Sequence, residues 1–412
     1  MIPLPPPKAG AFLRQGIKNP KTWYTKTLFN CQKRFFNIPS KLMTSDLKYL
    51  NAVNVLVSAR VGALQSIYDC FDGDWERAWR SDLRKFVQDE TGKTKSPADF
   101  ARLKKAIDPD NEWKKLNPPT GRERIGLITI FDKEYPKLLT HISSPPFLLY
   151  IKGSVETWKG KCFGVVGTRA LSEYGKRATP HITLDLARAG FTIVSGLATG
   201  IDTLAHKAAL EAGAKTIAVL GTGIDESTLY PQLNLPLARK IVEKGGAVIS
   251  EYAPGTHGTK FSFPQRNRII SGLSKGVLVV EADHISGAMI TAKCALEQNR
   301  DVFALPGNIF AKTSEGANDL IKRGAKLVAC ADDILEEYDM AKVKGQKTKF
   351  KIAADNPEEE KVLAVLTSEP MTADDIIRKT GMAAPQVNAT LMIMEIGKKI
   401  KNLGGGKFVV YE

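Results

Sequence analysis

The sequence predicts an α/β protein. Its centre is a Rossmann-like, doubly wound, mostly parallel sheet, with a small helical domain before it and a winged-helix domain after it. Three observations predict this. From residue 161 to about 330, short apolar runs alternate with helical stretches, the pattern of a parallel sheet covered on both faces. Residues 45–117 show apolar positions at helical spacing only. Residues 358–412 read helix, helix, helix, then a glycine turn before a final strand.

Residues 1–44 hold six Lys, two Arg and no acid, and so carry +8 of the net charge of +15. They begin "MIPLPPPKAG" and show no clear periodicity, which predicts a basic, disordered extension or sequence upstream of a start at Met43. A nucleic-acid-binding arm is the other reading. No compact apolar stretch of a cleaved signal peptide is present. In 45–117, "DLKYLNAVNVLVSARVGALQSIYDCF" is helical with a break near Arg60, Val61 and Gly62, and "DWERAWRSDLRKFVQDE" and "PADFARLKKAI" continue the pattern. Such helices form a packing domain, or, around a Gly turn, a hairpin contact to DNA. The domain 118–340 opens with a lead-in, in which "RIGLITIFD" is strand-like and "EYPKLLTHISSPPFLLYIKG" is punctuated by proline. Strands are then predicted at 162–167, 191–195, 216–220, 247–250, 276–280 and 301–305, with 326–330 a seventh. Helices are predicted near 175–189, 200–212, 232–244, 264–273, 287–298 and 316–323. Residues 341–357 are a charged, polar linker. The segment 358–412 has eight acidic and seven basic residues, which argues against a strong phosphate grip by its winged helix.

The 412 residues are 43% hydrophobic and 25% charged, enough to bury a core. No apolar run reaches the roughly 18 residues of a membrane helix, so no membrane partner is expected. The five cysteines are scattered, odd in number and form no CxxC, which fits a reducing, cytoplasmic setting. Residues 160–338 hold 20 basic and 18 acidic residues. An anion site there must therefore be built by local geometry rather than bulk charge.

Ligands of open parallel sheets bind beyond the carboxyl ends of the strands. The loops that follow the strands here are rich in glycine and hydroxyls: "GTRALSEYG", "SGLATGID", "GTGIDESTLYP", "EADHISGAMITA" and "PGNIFAKTSEGAND". Glycine lets backbone amides approach an anion, and helix N-termini add partial positive charge. Ser195, Gly196, Thr199 and Gly200 fit a phosphate cradle, as do Ser286 and Gly287. No GxxxxGK[ST] is present, and "GTGID" lacks the third glycine of a dinucleotide fingerprint. The five histidines make no HxH or HxxxH pair, so neither a metal nor another cofactor is implied. Asp202 and His206 are spaced to meet on a helix, and Glu251 and Glu281 end adjacent strands. These read as structural groups, with acid/base chemistry the alternative.

The stretch "GTKFSFPQRNRIISG" puts rings, cations and a helix start within ten residues. Pro264 suits the first helical position, after Ser262 or Phe263. A ring beside a cation suits single-stranded nucleic acid, because the ring stacks on a base and the cation tracks the backbone. Arg266 and Arg268 lie about 200° apart around a helix. One is expected at the ligand, Arg266 first, and one braced against acids. Arg169 is the third expected cation, with Lys260 and Phe263 the centre of the site.

Together, "GTRALSEYG", "SGLATGIDTLAH", "AVLGTGIDESTLYP", "FPQRNRIISGLS", "EADHISGAMITAKCAL", "RDVFALPGNI" and "GANDLIKRGA" resemble the DNA-processing protein A (DprA/Smf) family over about residues 125–335. The resemblance implies a SAM-like fold for the helical segment and a family winged helix for the tail. It implies a protein without catalytic turnover. That protein binds single-stranded DNA, protects incoming strands in natural transformation, helps load the recombinase RecA and acts as a homodimer. It carries a binding role to Arg169, Lys260 and Phe263, with Thr168, Asn267 and the glycine loops around them. The family's usual GSR is Gly167, Thr168, Arg169 here, which keeps a hydroxyl. Residues 1–44 match no part of the family pattern. The alternative enzyme reading is a phosphoribohydrolase-like nucleotide hydrolase, whose PGGxGTxxE motif is absent. A third reading makes the winged helix the functional part, with duplex DNA as its target.

Overall fold

The computed structural model describes residues 44–88, 92–117, 124–340, 354–366, 370–397 and 399–410. The extension expected over 1–44 lies outside these residues apart from Thr44, and so does most of the linker expected over 341–357.

Among the described residues, five helices precede the sheet: α1 (Thr44–Val57), α2 (Ala63–Phe71), α3 (Trp75–Arg80), α4 (Pro97–Ala106) and α5 (Pro109–Leu116). Gly62, at φ 75°, makes the break between α1 and α2 that the sequence marks. Asp74, Ser96 and Asp108 each accept a backbone N–H of the first turn and so start α3, α4 and α5. Proline at the first helical position reinforces the last two.

The central sheet has nine strands. They are β1 (Gly126–Thr129), β2 (Leu148–Gly153), β3 (Lys161–Val166), β4 (Phe191–Ser195), β5 (Thr216–Leu220), β6 (Ala247–Ser250), β7 (Gly276–Val279), β8 (Asp301–Ala304) and β9 (Lys326–Leu327). Their spatial order is β1-β2-β6-β5-β4-β3-β7-β8-β9. Strands β3 to β9 are parallel, while β2 joins β6 antiparallel and carries β1 at the edge. The lead-in is therefore part of the sheet. The seventh predicted strand, 326–330, shrinks to Lys326 and Leu327.

The helices between the strands are α6 (Glu173–Arg188), α7 (Ile201–Glu211), α8 (Leu235–Glu243), α9 (Ser262–Leu273), α10 (Gly287–Glu297), α11 (Glu315–Lys322) and α12 (Asp332–Leu335). Alternate strand residues feed two cores, as the period of two demands. Phe163, Val165, Ile193, Leu278 and Phe303 pack with α6, α7 and α12. Val166, Val194, Ile217, Val219 and Val279 pack with α9, α10 and α11. The chain winds outward from β3 through β6, then returns to lay β7 on the other side of β3. This reversal opens a crevice beyond the carboxyl ends of β3 and β7.

The helical segment is fastened to the sheet by buried polar bonds. Tyr150 of β2 donates its hydroxyl to Asn51 Oδ1 at 2.6 Å. Asn54 Nδ2 donates to Tyr150 Oη at 3.1 Å and to the Glu251 carbonyl at 3.2 Å. Tyr68 and Trp75 close a ring cluster with Phe131 and Phe147. A cut near residue 117 would thus expose packed rings and unpaired polar groups.

The last elements are α13 (Pro357–Val365), β10 (Met371–Thr372), α14 (Ala373–Thr380), α15 (Ala384–Ile396), β11 (Ile400–Asn402) and β12 (Lys407–Val410). The three strands pair antiparallel in the order β10-β12-β11. Gly404, Gly405 and Gly406 all have positive φ, which makes the β11–β12 turn. Val362, Ile376, Val387, Leu391 and Met394 form a separate core beneath it. This is a winged helix. No helix among the described residues is long and apolar enough to cross a membrane.

Candidate nucleic-acid interface

The crevice at the β3/β7 reversal is a cleft of about 560 Å³. Thr168 and Arg169 line it from the loop after β3, Lys260, Phe263, Arg266 and Asn267 from the start of α9, and Ser286 and Gly287 from the start of α10. The structure thus brings eight of the eleven nominated residues to one cavity. Ser195, Gly196 and Gly200 are not among its lining residues.

Close packing places the first loop. A Cβ on Gly167 would sit 2.5 Å from the Ile201 side chain, so only glycine fits. Thr168 N–H donates to the Glu281 carbonyl at 2.7 Å, and the Thr168 carbonyl accepts from Ile201 N–H at 3.2 Å. The loop is therefore tied to both the loop after β7 and the start of α7, and it delivers Arg169 to the surface. The Arg169 guanidinium carbon lies 5.8 Å from the centroid of the Phe263 ring. Neither Arg169 nor Lys260 makes an ion pair with a described residue.

The start of α9 differs from the sequence expectation. The helix begins at Ser262, so Pro264 is its third residue and not its first. The cause is a reciprocal cap. Thr259 N–H donates to Ser262 Oγ at 2.8 Å, and Ser262 N–H donates to Thr259 Oγ1 at 3.1 Å. Pro264 still falls in the first turn, where an amide would have no partner inside the helix. Lys260 and Phe261 are exposed ahead of it, and Phe263 is half-buried. The Phe263 ring is gripped from behind: a Cβ on Gly221 or Gly258 would meet it at 2.7 Å or 2.6 Å. Tyr230, which sequence reasoning missed, stands 5.7 Å away, ring to ring.

Arg266 is a strut. It is only 5% exposed, and its Nη1 donates to the Gly196 carbonyl at 2.7 Å and to the Val219 carbonyl. Burial pulls its pKa down to about 10, with Asp202 opposing, so it keeps its charge at neutral pH. It joins the ends of β4 and β5 below the cleft. Arg268 points away, with both Glu251 oxygens at 2.7 Å from its Nη2. Burial raises the Glu251 pKa against the pull of Arg268.

The cradle expected at 195–200 is filled by protein. Asp202 accepts the amides of Gly196 at 3.2 Å and Ala198 at 3.4 Å. Desolvation raises its pKa, opposed by Arg266 and these amides. Ser195 Oγ donates to the Val165 carbonyl at 2.7 Å. A Cβ on Gly200 would lie 2.3 Å from the Thr168 carbonyl, so this glycine serves loop packing. His206 does not pair with Asp202. Its Nδ1 is 2.7 Å from Thr216 Oγ1, whose own proton goes to the Ile193 carbonyl. The histidine proton therefore sits on Nδ1. Glu281 follows β7, which β5, β4 and β3 separate from β6 and Glu251, so the two carboxylates do not end adjacent strands as expected. Glu281 holds loops, accepting from Ser172 N–H at 3.2 Å, from Ser172 Oγ and from Thr313 Oγ1 at 3.3 Å.

The cradle at α10 is open. Ser286 makes no side-chain cap, and its buried Oγ has no hydrogen-bond partner. The first amides of an α-helix have none inside the helix either, and they carry its positive pole. Asn267 Nδ2 donates to the Gly287 carbonyl at 3.0 Å and fixes this turn against α9. The cleft thus combines a helix N-terminus, two exposed cations and one ring held on its back. Among the described residues, no group of three or more His, Cys, Asp or Glu could hold a metal.

A family model described as DNA recombination-mediator protein A matches residues 126–339, the sheet and its helices. The chain belongs to this family. A second model, the DprA winged helix domain, matches residues 346–406. The DNA processing protein DprA of Bacillus subtilis (strain 168) is 45% identical over 214 residues, which are 52% of this chain and 71% of that protein. Protein Smf of Escherichia coli (strain K12) is 40% identical over 289 residues, 68% of this chain and 76% of the relative. The X-ray structure of DNA processing protein A from Streptococcus pneumoniae superposes with a TM-score of 0.58 at 36% identity. It covers 72% of this chain and 99% of that one.

Proposed function

We propose that this chain binds single-stranded DNA along the β3/β7 cleft, without strong sequence preference and without catalytic turnover. It acts as a homodimer, protects strands entering recombination and passes them to RecA. One observation carries the reading. Arg169, Phe263 and Lys260 line one cavity, with the unfilled N-terminus of α10 beside them. A ring stacks on unpaired bases, the cations follow phosphates, and uncapped amides donate to a phosphate oxygen. Duplex DNA keeps its base faces covered, so the ring favours single strands. Membership of a recombination-mediator family, with DNA processing proteins as relatives, supports DNA as the ligand.

The carboxylates support a binding role over hydrolysis. Glu251 is locked to Arg268 on another side of α9, Glu281 holds Ser172, and Asp202 holds loop amides. The longest helix of the winged-helix domain adds little charge for DNA. Helix α15 has Glu395 as its one charged residue, and it exposes Met392, Ile393 and Ile396.

Mobility shifts with a homopolymer single strand and a duplex test this. Single strands should bind more tightly, and the Arg169→Ala, Lys260→Ala double variant should lose most of that binding. Equal binding of duplex, or a double variant that binds like wild type, overturns it.

A further inference from the structure

A second cavity of about 390 Å³ adjoins the cleft. The two share walls. The loop after β3 gives Thr168 and Arg169 to the cleft and Ser172 to the second cavity, and the loop after β7 gives Ser286 to the first and Glu281 to the second. Ile285, on the loop after β7, lines the cleft and is 94% exposed. On the far side, the turn after β8 carries Ile309 and Phe310, 78% and 91% exposed.

This turn is held rather than loose. Asn318 binds Gly307 twice, accepting its amide and donating to its carbonyl, each at 3.1 Å. Asn308 Oδ1 accepts from Phe310 N–H at 2.9 Å. The ring is thus kept in water on a fixed support. Lys312, exposed and without an ion pair among the described residues, follows two positions later.

We propose that this rim is a second subsite for the single strand leaving the cleft. A base stacks on Phe310, Lys312 meets the backbone, and the cavity takes the nucleoside between. Continuity of the walls selects this occupant, because the loops after β3 and β7 line both cavities and Asn308 and Ala311, on either side of Phe310, line the second. The inference rests on the single-strand reading of the cleft.

Phe310→Ala tests it, and at 91% exposure the change removes little packing. Affinities of the full chain are measured for oligo(dT) of about six and about fifteen nucleotides, lengths within the span of single-strand sites. The variant should bind the short strand like wild type and the long strand about fivefold or more weakly, the loss of one stacked base. Phe310→Trp should restore the long-strand affinity. Lys260→Ala should weaken both lengths. If Phe310→Ala leaves the long strand unchanged while Lys260→Ala weakens it, the subsite is wrong and the cleft stands. If Lys260→Ala changes neither, the cleft reading itself fails. If Phe310→Ala abolishes self-association with DNA affinity intact, the patch is a protein interface and the inference is overturned.

Discussion

Replacing Lys260 by alanine removes one exposed ammonium from the cleft. No described acid pairs with it, so the variant leaves no charge stranded and should melt like wild type. The loss then lies in binding, and its size follows from counterion release. One phosphate contact to a single strand contributes about 0.7 to the slope of log K against log salt. At about 0.1 M salt, one contact is worth roughly fivefold in affinity, and at about 0.5 M it is worth less than about twofold. The ring should behave otherwise. Phe263→Leu keeps bulk against Gly221 and Gly258 but removes the stacking face. It should cost about 1–3 kcal/mol, or roughly fivefold or more, at both salts. Fluorescence anisotropy of labelled oligo(dT) across a salt series reads both. The reasoning is refuted if the Lys260→Ala deficit persists undiminished at high salt, because a phosphate contact must fade. It is also refuted if the Phe263→Leu deficit fades in parallel.

Two further predictions concern the scaffold. Glu251→Ala leaves Arg268 charged and unpartnered in a pocket where Nε and Nη1 already lack acceptors. It should cost about 3–5 kcal/mol of stability, much of it recovered by adding Arg268→Met. An unchanged urea midpoint for Glu251→Ala would refute the brace. His206 is buried with its Nε2 unpartnered near Arg266, and burial lowers its pKa to about 3. The unfolded chain takes up this proton below about pH 6.5 and the folded protein does so only near pH 3, so stability falls as pH drops through that window. From pH 7 to about pH 5 the loss is about 2 kcal/mol. In urea unfolding at both values, His206→Asn should shrink the difference by about that much, and an equal difference would count against it.

The parallel sheet was legible because β4 to β7 are wholly buried runs separated by helical stretches. The reversal beside β3 followed from fold class, and with it the position of the cleft. Other features were not legible. Strand β2 follows a proline-punctuated stretch, and its pairing with β6 is set by tertiary contact. Glycine loops look alike in sequence whether they hold an anion or another loop. The 195–202 and 286–287 turns differ only in where a carboxylate reaches: Asp202 fills the first, and nothing caps the second. The two arginines of α9 were separable by helical angle, and the structure braces Arg268 on Glu251. It spends Arg266 on two buried carbonyls, which no spacing rule reveals.

The charge pattern limits how the cleft can work. The sheet domain is nearly neutral, and of the three cations lining the cleft Arg266 is committed to protein carbonyls. Arg169 and Lys260 remain. Two phosphate contacts give a salt slope near about −1.4 for a single strand, a shallow dependence. A measured slope much steeper than that needs cations the cleft does not own. Lys312 at the second rim could supply one and a second copy of the chain could supply more, since linked sites raise affinity without new contacts within each. The two sources are separable. Lys312→Ala lowers the slope by about 0.7 at any protein concentration, whereas a contribution from a second copy disappears on dilution below the dimer dissociation constant. A slope that stays near −1.4 under all these conditions would place every phosphate contact in one cleft and leave Lys312 without a role in gripping the backbone.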